Sequence, residues 1–251
     1  MGKPAETNRR QVMAGLGAVP LAAGLGGCDF GPPVYAYRYK LSIEMDTPQG
    51  RKSGSNVVEV RFQQRKGSAG TRSIRTVRGE ALYLDLGDGR RPLIALLTSR
   101  VRPTDKPGHA RARCWGDNAP FCWQKLYDFK ATGFDDNGYN PGLAELARQR
   151  GARPLPVSDL PDLVTFDDVD DPRTVKAVDP EAPYLALGDG VSFRTVTLEI
   201  TDAPLTEGIE KRLGWLVGMK TNIAGARGPQ IPGSLATIVG SHDFRRKEPL
   251  P

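Results

Sequence analysis

Residues 34–62 read VYAYRYKLSIEMDTPQGRKSGSNVVEVRF. Val34–Met45 alternates between apolar or aromatic side chains and polar ones, with β-branched and aromatic residues throughout, which is the period of a half-buried strand. Asp46-Thr47-Pro48-Gln49-Gly50 is turn chemistry. Ser53–Gln63 returns as a second strand, paired with the first. The stretch Gln64–Arg75 is rich in Gly, Ser and basic residues and is expected to be an exposed loop. Gly79–Leu86 (GEALYLDL) predicts a third strand, Gly87-Asp88-Gly89 a tight turn, and Arg91–Thr98 (RPLIALLT) a fourth. Consecutive strands usually neighbour each other. The expected fold is therefore α+β: an antiparallel β-meander sheet with a few short helices.

Further along, Asn140-Pro141 opens a helical pattern over Gly142–Arg150. Residues 151–183 are Pro- and Asp-rich, with one short apolar piece at Asp162–Phe166. Val191–Ile200 (VSFRTVTLEI) is the cleanest alternation in the chain, with one offset between Phe193 and Val196. Thr206–Val217 predicts a helix capped by Thr206, and Ser234–Val239 a last short strand or turn. The tail from Arg245 is basic and Pro-rich. The expected organisation is a signal peptide at 1–27, a linker at 28–33, one globular domain at 34–245 and a flexible tail at 246–251. With 29 Gly and 21 Pro in 251 residues, a turn-rich domain with modest helix content is expected.

The amino terminus has a polar start ending at Arg9 and Arg10. A Gly-rich, weakly apolar run from Val12 follows, broken by Pro20, and small residues lead into Cys28. This is the layout of a secretory signal. The run is too short and too weakly apolar to predict a transmembrane helix, which needs about 20 apolar residues. Leu25-Gly26-Gly27-Cys28 resembles the lipobox of bacterial lipoproteins. That resemblance implies a diacylglyceryl group on Cys28, cleavage before it and acylation of the new amino group. Asn8-Arg9-Arg10-Gln11-Val12-Met13 resembles a twin-arginine export motif, with Asn8 and Val12 departing from the usual residues. The two or three chains of such an anchor would hold the protein permanently, since each buried CH₂ contributes about 0.8 kcal/mol. Asp29 resembles an inner-membrane retention signal of enterobacterial lipoproteins, but inner and outer membrane stay open. The linker reaches only about 17 Å, so the domain is expected close to the bilayer, facing the periplasm.

The net charge of +6 is unevenly spread. Arg38–Arg113 carries 17 bases against 7 acids, and Asp159–Glu210 carries 3 bases against 13 acids. Either the two segments neighbour and offset each other, or a basic face meets an anionic lipid or polymer. Arg61, Arg65, Lys66, Arg72, Arg75 and Arg78 are the candidate contacts. Nucleic acid is not an expected partner of an exported protein.

Cysteine count supports the anchor. Cys114 and Cys122 are close in sequence and, once exported, meet oxidant, so they are expected to pair. Cys28 is then the odd one left for lipid. A redox pair would want the tighter CxxC spacing. No cofactor or metal site is expected: His109 and His242 are isolated, and neither Asp135-Asp136-Asn137-Gly138 nor Asp167–Asp171 has the ligand alternation of an EF-hand. Ser241-His242-Asp243 holds the residue types of a hydrolase triad, but in immediate succession and without a GxSxG elbow. The two LGDG stretches, at 86–89 and 187–190, read as turns.

Residues 37–62 and 79–97 resemble uncharacterised proteobacterial proteins, a resemblance that implies kinship and no activity. The expectation is a non-catalytic cell-envelope lipoprotein that binds an envelope protein or an anionic component. The alternative is an exported enzyme that uses Asp167 or Asp171 for general acid/base chemistry.

Overall fold

The computed structural model describes residues 34–67, 70–87, 89–99, 126–127, 140–225 and 234–246. They form mostly antiparallel β-structure with a few short helices. Arg9, Arg10, Cys28, His109, Cys114, Cys122 and Asp135–Gly138 lie outside the described residues.

Ten strands are present among the described residues: β1 (Val34–Thr47), β2 (Gly50–Gly67), β3 (Gly70–Glu80), β4 (Leu82–Leu84), β5 (Leu93–Ala95), β6 (Arg153–Pro154), β7 (Leu163–Phe166), β8 (Val175–Ala177), β9 (Ser192–Thr201) and β10 (Arg245–Arg246). They make two sheets. The first runs β10-β3-β2-β1-β9-β6 and the second β4-β5-β7-β8.

β1 and β2 form the hairpin expected from residues 34–62, in the register Tyr39↔Val58 with Thr47↔Gly50 at the turn. Every odd residue from Tyr35 to Thr47 is buried, and even positions stay in contact with solvent. The Gln64–Arg75 stretch is not a loop. β2 runs on to Gly67, and β3 returns from Gly70, with Arg65 opposite Arg72. Basic residues mark contact with water; they do not remove the backbone donors and acceptors that a ladder uses.

The third and fourth expected strands do not continue the meander. β3 ends at Glu80, and the next two strands, β4 and β5, belong to the second sheet. The break lies at Gly79, whose φ of 140° and proximity to Val58 leave no room for a side chain: a Cβ there would stand 3.1 Å from the Val58 Cα. The sheets approach closely at Gly54, where an added Cβ would meet the Leu84 side chain at 3.3 Å. Leu82, Leu84, Leu93 and Ala95 pack with Tyr39, Leu41, Ile43 and Val58 in one core.

The second sheet is buried on its other side too. Ile94, Val164 and Phe166 join Ile209, Leu213, Leu216 and Phe244 in a second core. Trp215 closes on Phe244 edge-on at 5.3 Å and on Phe166 at 5.6 Å, and its Nε1 donates to the Val169 carbonyl at 2.9 Å. Burial on both faces explains why β5 and β7 do not alternate as β1 does; the one polar residue in them, Thr165, donates its hydroxyl to the Pro92 carbonyl at 2.7 Å. The Leu-rich cover of this core is not the helix expected over Thr206–Val217. It consists of two 3₁₀ turns, Ile209–Lys211 and Gly214–Gly218, because Gly208, Gly214 and Gly218 punctuate the segment.

The remaining elements are short. Helix α1 (Pro141–Leu146) starts where the sequence indicates: the Asn140 Oδ1 accepts from the Leu143 N–H at 3.0 Å, the usual N-cap bond. Helix α2 (Tyr184–Leu187) precedes β9. Ser234–Val239 is not a strand; Leu235–Ile238 forms one helical turn, α3. α4 (Ser241–Phe244) leads into β10, so Arg246 is paired with Gly79 and is no part of a free tail. The offset in the alternation of β9 is a β-bulge: Phe193 pairs with Met45 and Thr195 with Glu44, so Arg194 is the extra residue and the side-chain phase shifts by one.

Candidate functional site

The outer face of the large sheet carries a cluster of opposite charges around Glu59. Arg38 on β1 and Arg78 on β3 both stand directly across from Glu59 on β2. Cross-strand neighbours of opposite charge attract, and Arg61, two residues along β2, joins them. Arg61 Nε donates to Glu59 Oε1 at 2.7 Å, Arg38 Nε to Oε2 at 3.2 Å, and Arg78 Nη1 lies 3.8 Å from Oε1. The Glu59 side chain is only 7% exposed. Burial pushes its carboxyl up, but the hydrogen bonds and charges of Arg61 and Arg38 outweigh this and hold it below the ordinary carboxylate value. Three guanidiniums share one carboxylate, which leaves this cluster with excess positive charge. Arg38 is further fixed by donating Nη1 to the Ala203 carbonyl at 3.0 Å.

The end of β3 opens the second feature. Where β3 leaves the ladder at Gly79, β2 keeps an unpaired edge at Val57. Thr206 fills it: its Oγ1 accepts from the Val57 N–H at 2.8 Å, and its own N–H donates to the Val57 carbonyl at 3.2 Å. The Asn56 Nδ2 donates to the Glu80 carbonyl at 2.7 Å. Between the end of β3, β10 and the 205–211 segment lies a groove of about 400 Å³, lined by Arg78, Glu80, Thr206, Glu207, Lys211 and Arg246 among others. A smaller hollow of about 150 Å³ shares Glu80, Thr206 and Glu207 with it. Glu80 is 6% exposed, and its Oε2 accepts from the Ile209 N–H at 2.7 Å. Glu210, also on the groove, is ion-paired with Arg245.

The structure brings some of the expected residues together and not others. Arg61 and Arg78 meet on one carboxylate, but that carboxylate is Glu59, not a member of the acidic 159–210 segment. Arg65, Lys66, Arg72 and Arg75 lie on the β2–β3 hairpin, where the backbone is described. Basic and acidic segments do offset each other at Arg91, which pairs with Asp167 at 2.6 Å.

The carboxylates of the enzymatic alternative are engaged separately at the surface. Asp167 accepts from Lys176 and faces Arg91, and these hold its carboxyl below the ordinary value. Asp171 caps the turn at Pro172–Thr174 and is hydrogen-bonded by Arg173, which lowers it likewise. A general acid working near neutral pH needs the opposite shift.

Ser241, His242 and Asp243 form no triad. The His242 Nε2 does lie 3.4 Å from the Asp243 Oδ1, contrary to the expectation for sequence neighbours. Asp243, however, is buried and fastened by Thr98 Oγ1 at 2.6 Å and the Gly240 N–H at 2.9 Å. No hydrogen bond joins the Ser241 hydroxyl to His242 among the described residues. The second LGDG stretch is a turn between α2 and β9; the first falls between β4 and β5, with its Asp88 outside the described residues.

Glu59, Glu80, Lys211 and Arg246 were not singled out from sequence. A usable signal existed for Glu80, which interrupts the apolar run of RGEALYL, whereas Glu59 falls on the polar side of the alternation in VVEVRF. No protein-family model, curated protein or solved structure matches the chain. Among the described residues, no helix is long and apolar enough to cross a membrane.

Proposed function

We propose that this chain is a periplasm-facing envelope lipoprotein, exported through the Arg9-Arg10 signal and anchored at Cys28. In this reading its β domain binds an anionic envelope component without catalysis. The observation that carries the binding reading is the charge imbalance on the large sheet, where Arg38, Arg61 and Arg78 share the single Glu59 carboxylate. The side chains of Arg61 and Arg78 are 46% and 38% exposed, so their guanidiniums can reach a ligand while Glu59 keeps them aligned. Each Lys or Arg near an anionic membrane contributes about 1 kcal/mol. The short linker after Cys28 supports contact with the bilayer to which the chain is tethered. A Cys114–Cys122 disulfide belongs to the same reading of an exported protein.

Two measurements test this. Intact mass and fractionation in the native host should show a chain beginning at Cys28 with added acyl mass in the membrane. Cys28→Ala should release it. The released Cys28→Ala protein is then floated with vesicles of phosphatidylcholine with and without phosphatidylglycerol. Binding should require the anionic lipid, weaken with salt and drop in Arg61→Ala. Equal binding to neutral vesicles, or none to either, would sink the anionic reading and leave a protein partner as the target of pull-downs from that membrane.

A further inference from the structure

The groove at the end of β3 presents charges of both signs. Glu80 is nine-tenths buried, and one carboxylate oxygen is held by the Ile209 N–H. Among the described residues, no cation lies within ion-pairing range of it and no hydrogen bond reaches its second oxygen. Lys211, on the 205–211 segment, has no ion pair among the described residues. Among the described residues, Arg78 has only the 3.8 Å contact to Glu59, which is already served by two closer arginines. A buried carboxylate lacking an ionic partner is costly, and a ligand cation would supply one.

We propose that this groove binds a small zwitterion, an α-amino acid or dipeptide, with its ammonium on Glu80 and its carboxylate on Arg78 and Lys211. The lining sets Arg78 and Lys211 against Glu80 and Glu207, while Glu210 is taken up by Arg245. A polyanion would face Glu80 and Glu207, and a simple cation would leave Arg78 and Lys211 unmatched. Arg78 and Glu80 stand two residues apart on β3, about 6.6 Å at strand rise. Charges separated by a few bonds, each with a hydrogen bond of about 2.8 Å, span that distance. The volume of about 400 Å³ falls within the range of small-ligand sites. This inference goes beyond the anionic-surface reading and shares only Arg78 with it.

The test is calorimetric titration of the full-length protein in detergent with L-alanyl-L-alanine, its N-acetylated form and its carboxamide. The free dipeptide should bind saturably, and each singly charged analogue at least about tenfold more weakly. Glu80→Gln keeps a carbonyl for the Ile209 N–H and should erase the preference for the free over the acetylated peptide. Lys211→Ala, at an exposed position, should erase the preference for the free peptide over the carboxamide and serves if Glu80→Gln does not fold. Absence of saturation by the dipeptide, or equal binding of all three, overturns the proposal. Tightest binding of the acetylated peptide also overturns it and makes the groove an anion site. Vesicle binding is read on Arg61→Ala and the dipeptide titration on Glu80→Gln, so the two readings fail separately.

Discussion

The β1–β2 hairpin and the small β4-β5-β7-β8 sheet use the same ladder chemistry under different burial. β1 buries one face, so its sequence alternates and its outer side is free to carry Arg38, Lys40 and Glu44. β5 and β7 lie between two cores, and every residue in them is buried. Among the described strands, β5 and β7 are therefore committed to packing, whereas the outer face of the large sheet and the end of β3 stay open to recognition. The lesson is that half-burial leaves one side of a strand available for recognition, and full burial leaves none.

The comparison can be broken most forcefully at Phe166, which is fully buried against Trp215 and Phe244. Phe166→Ala should cost about 3–5 kcal/mol in denaturant unfolding. A loss under about 1 kcal/mol would mean that the second core is loosely packed. Next comes Gly79→Ala, where a positive φ and the Val58 backbone both oppose a side chain. It should cost about 2 kcal/mol and disturb the groove as well as stability. A neutral result would show that β3 can leave the ladder without the glycine.

Glu59 sharpens the contrast through pH. Its folded carboxyl is held below the ordinary value of about 4.5. A depressed folded pKa means stability that is fully present above the unfolded value and is lost as pH falls through the folded one. Wild type should thus lose stability as pH drops below about 4.5, and Glu59→Gln should lack that part of the dependence. Two superimposable stability–pH curves would remove Glu59 from the account. The smallest effect is expected at the bulge: Arg194 meets Asp46 at 3.3 Å with both side chains nearly half exposed. Arg194→Ala should change stability by less than about 0.5 kcal/mol. A cost above about 1 kcal/mol would show that the side chain, and not the bulged backbone alone, holds the phase shift in β9.

Legibility in sequence followed burial. Val34–Met45 and Val191–Ile200 were readable because one face meets the core and the other meets water. Even the slip after Phe193 was visible before the bulge gave it a cause. The Gln64–Arg75 stretch misled because its glycines and polar residues read as a loop, whereas its two halves pair with each other, Gln64 with Ser73 and Arg65 with Arg72. Thr206–Val217 misled for a different reason. Its apolar spacing suits a helix, but glycines and the attachment of Thr206 to Val57 favour two short turns. Of the site, Arg61 and Arg78 were legible as bases in a basic segment. Glu59, which gathers them, was not, since an acid inside a strand has no local signature of the residues opposite it.

By itself the sequence determined a chain rich in antiparallel strands, the pairing of the first hairpin about its turn, the cap of α1, and the resemblance of residues 25–28 to a lipobox. These depend on neighbours a few residues apart: alternation, turn chemistry and short motifs. Only the tertiary structure decided that β4 and β5 leave the first sheet, that three arginines converge on Glu59, and that Thr206 replaces β3 along Val57 to open the groove beside Glu80. Each of these joins residues far apart in sequence. What settles them is which strand edge and which apolar face remain unsatisfied once the large sheet has formed, and no local pattern carries that information.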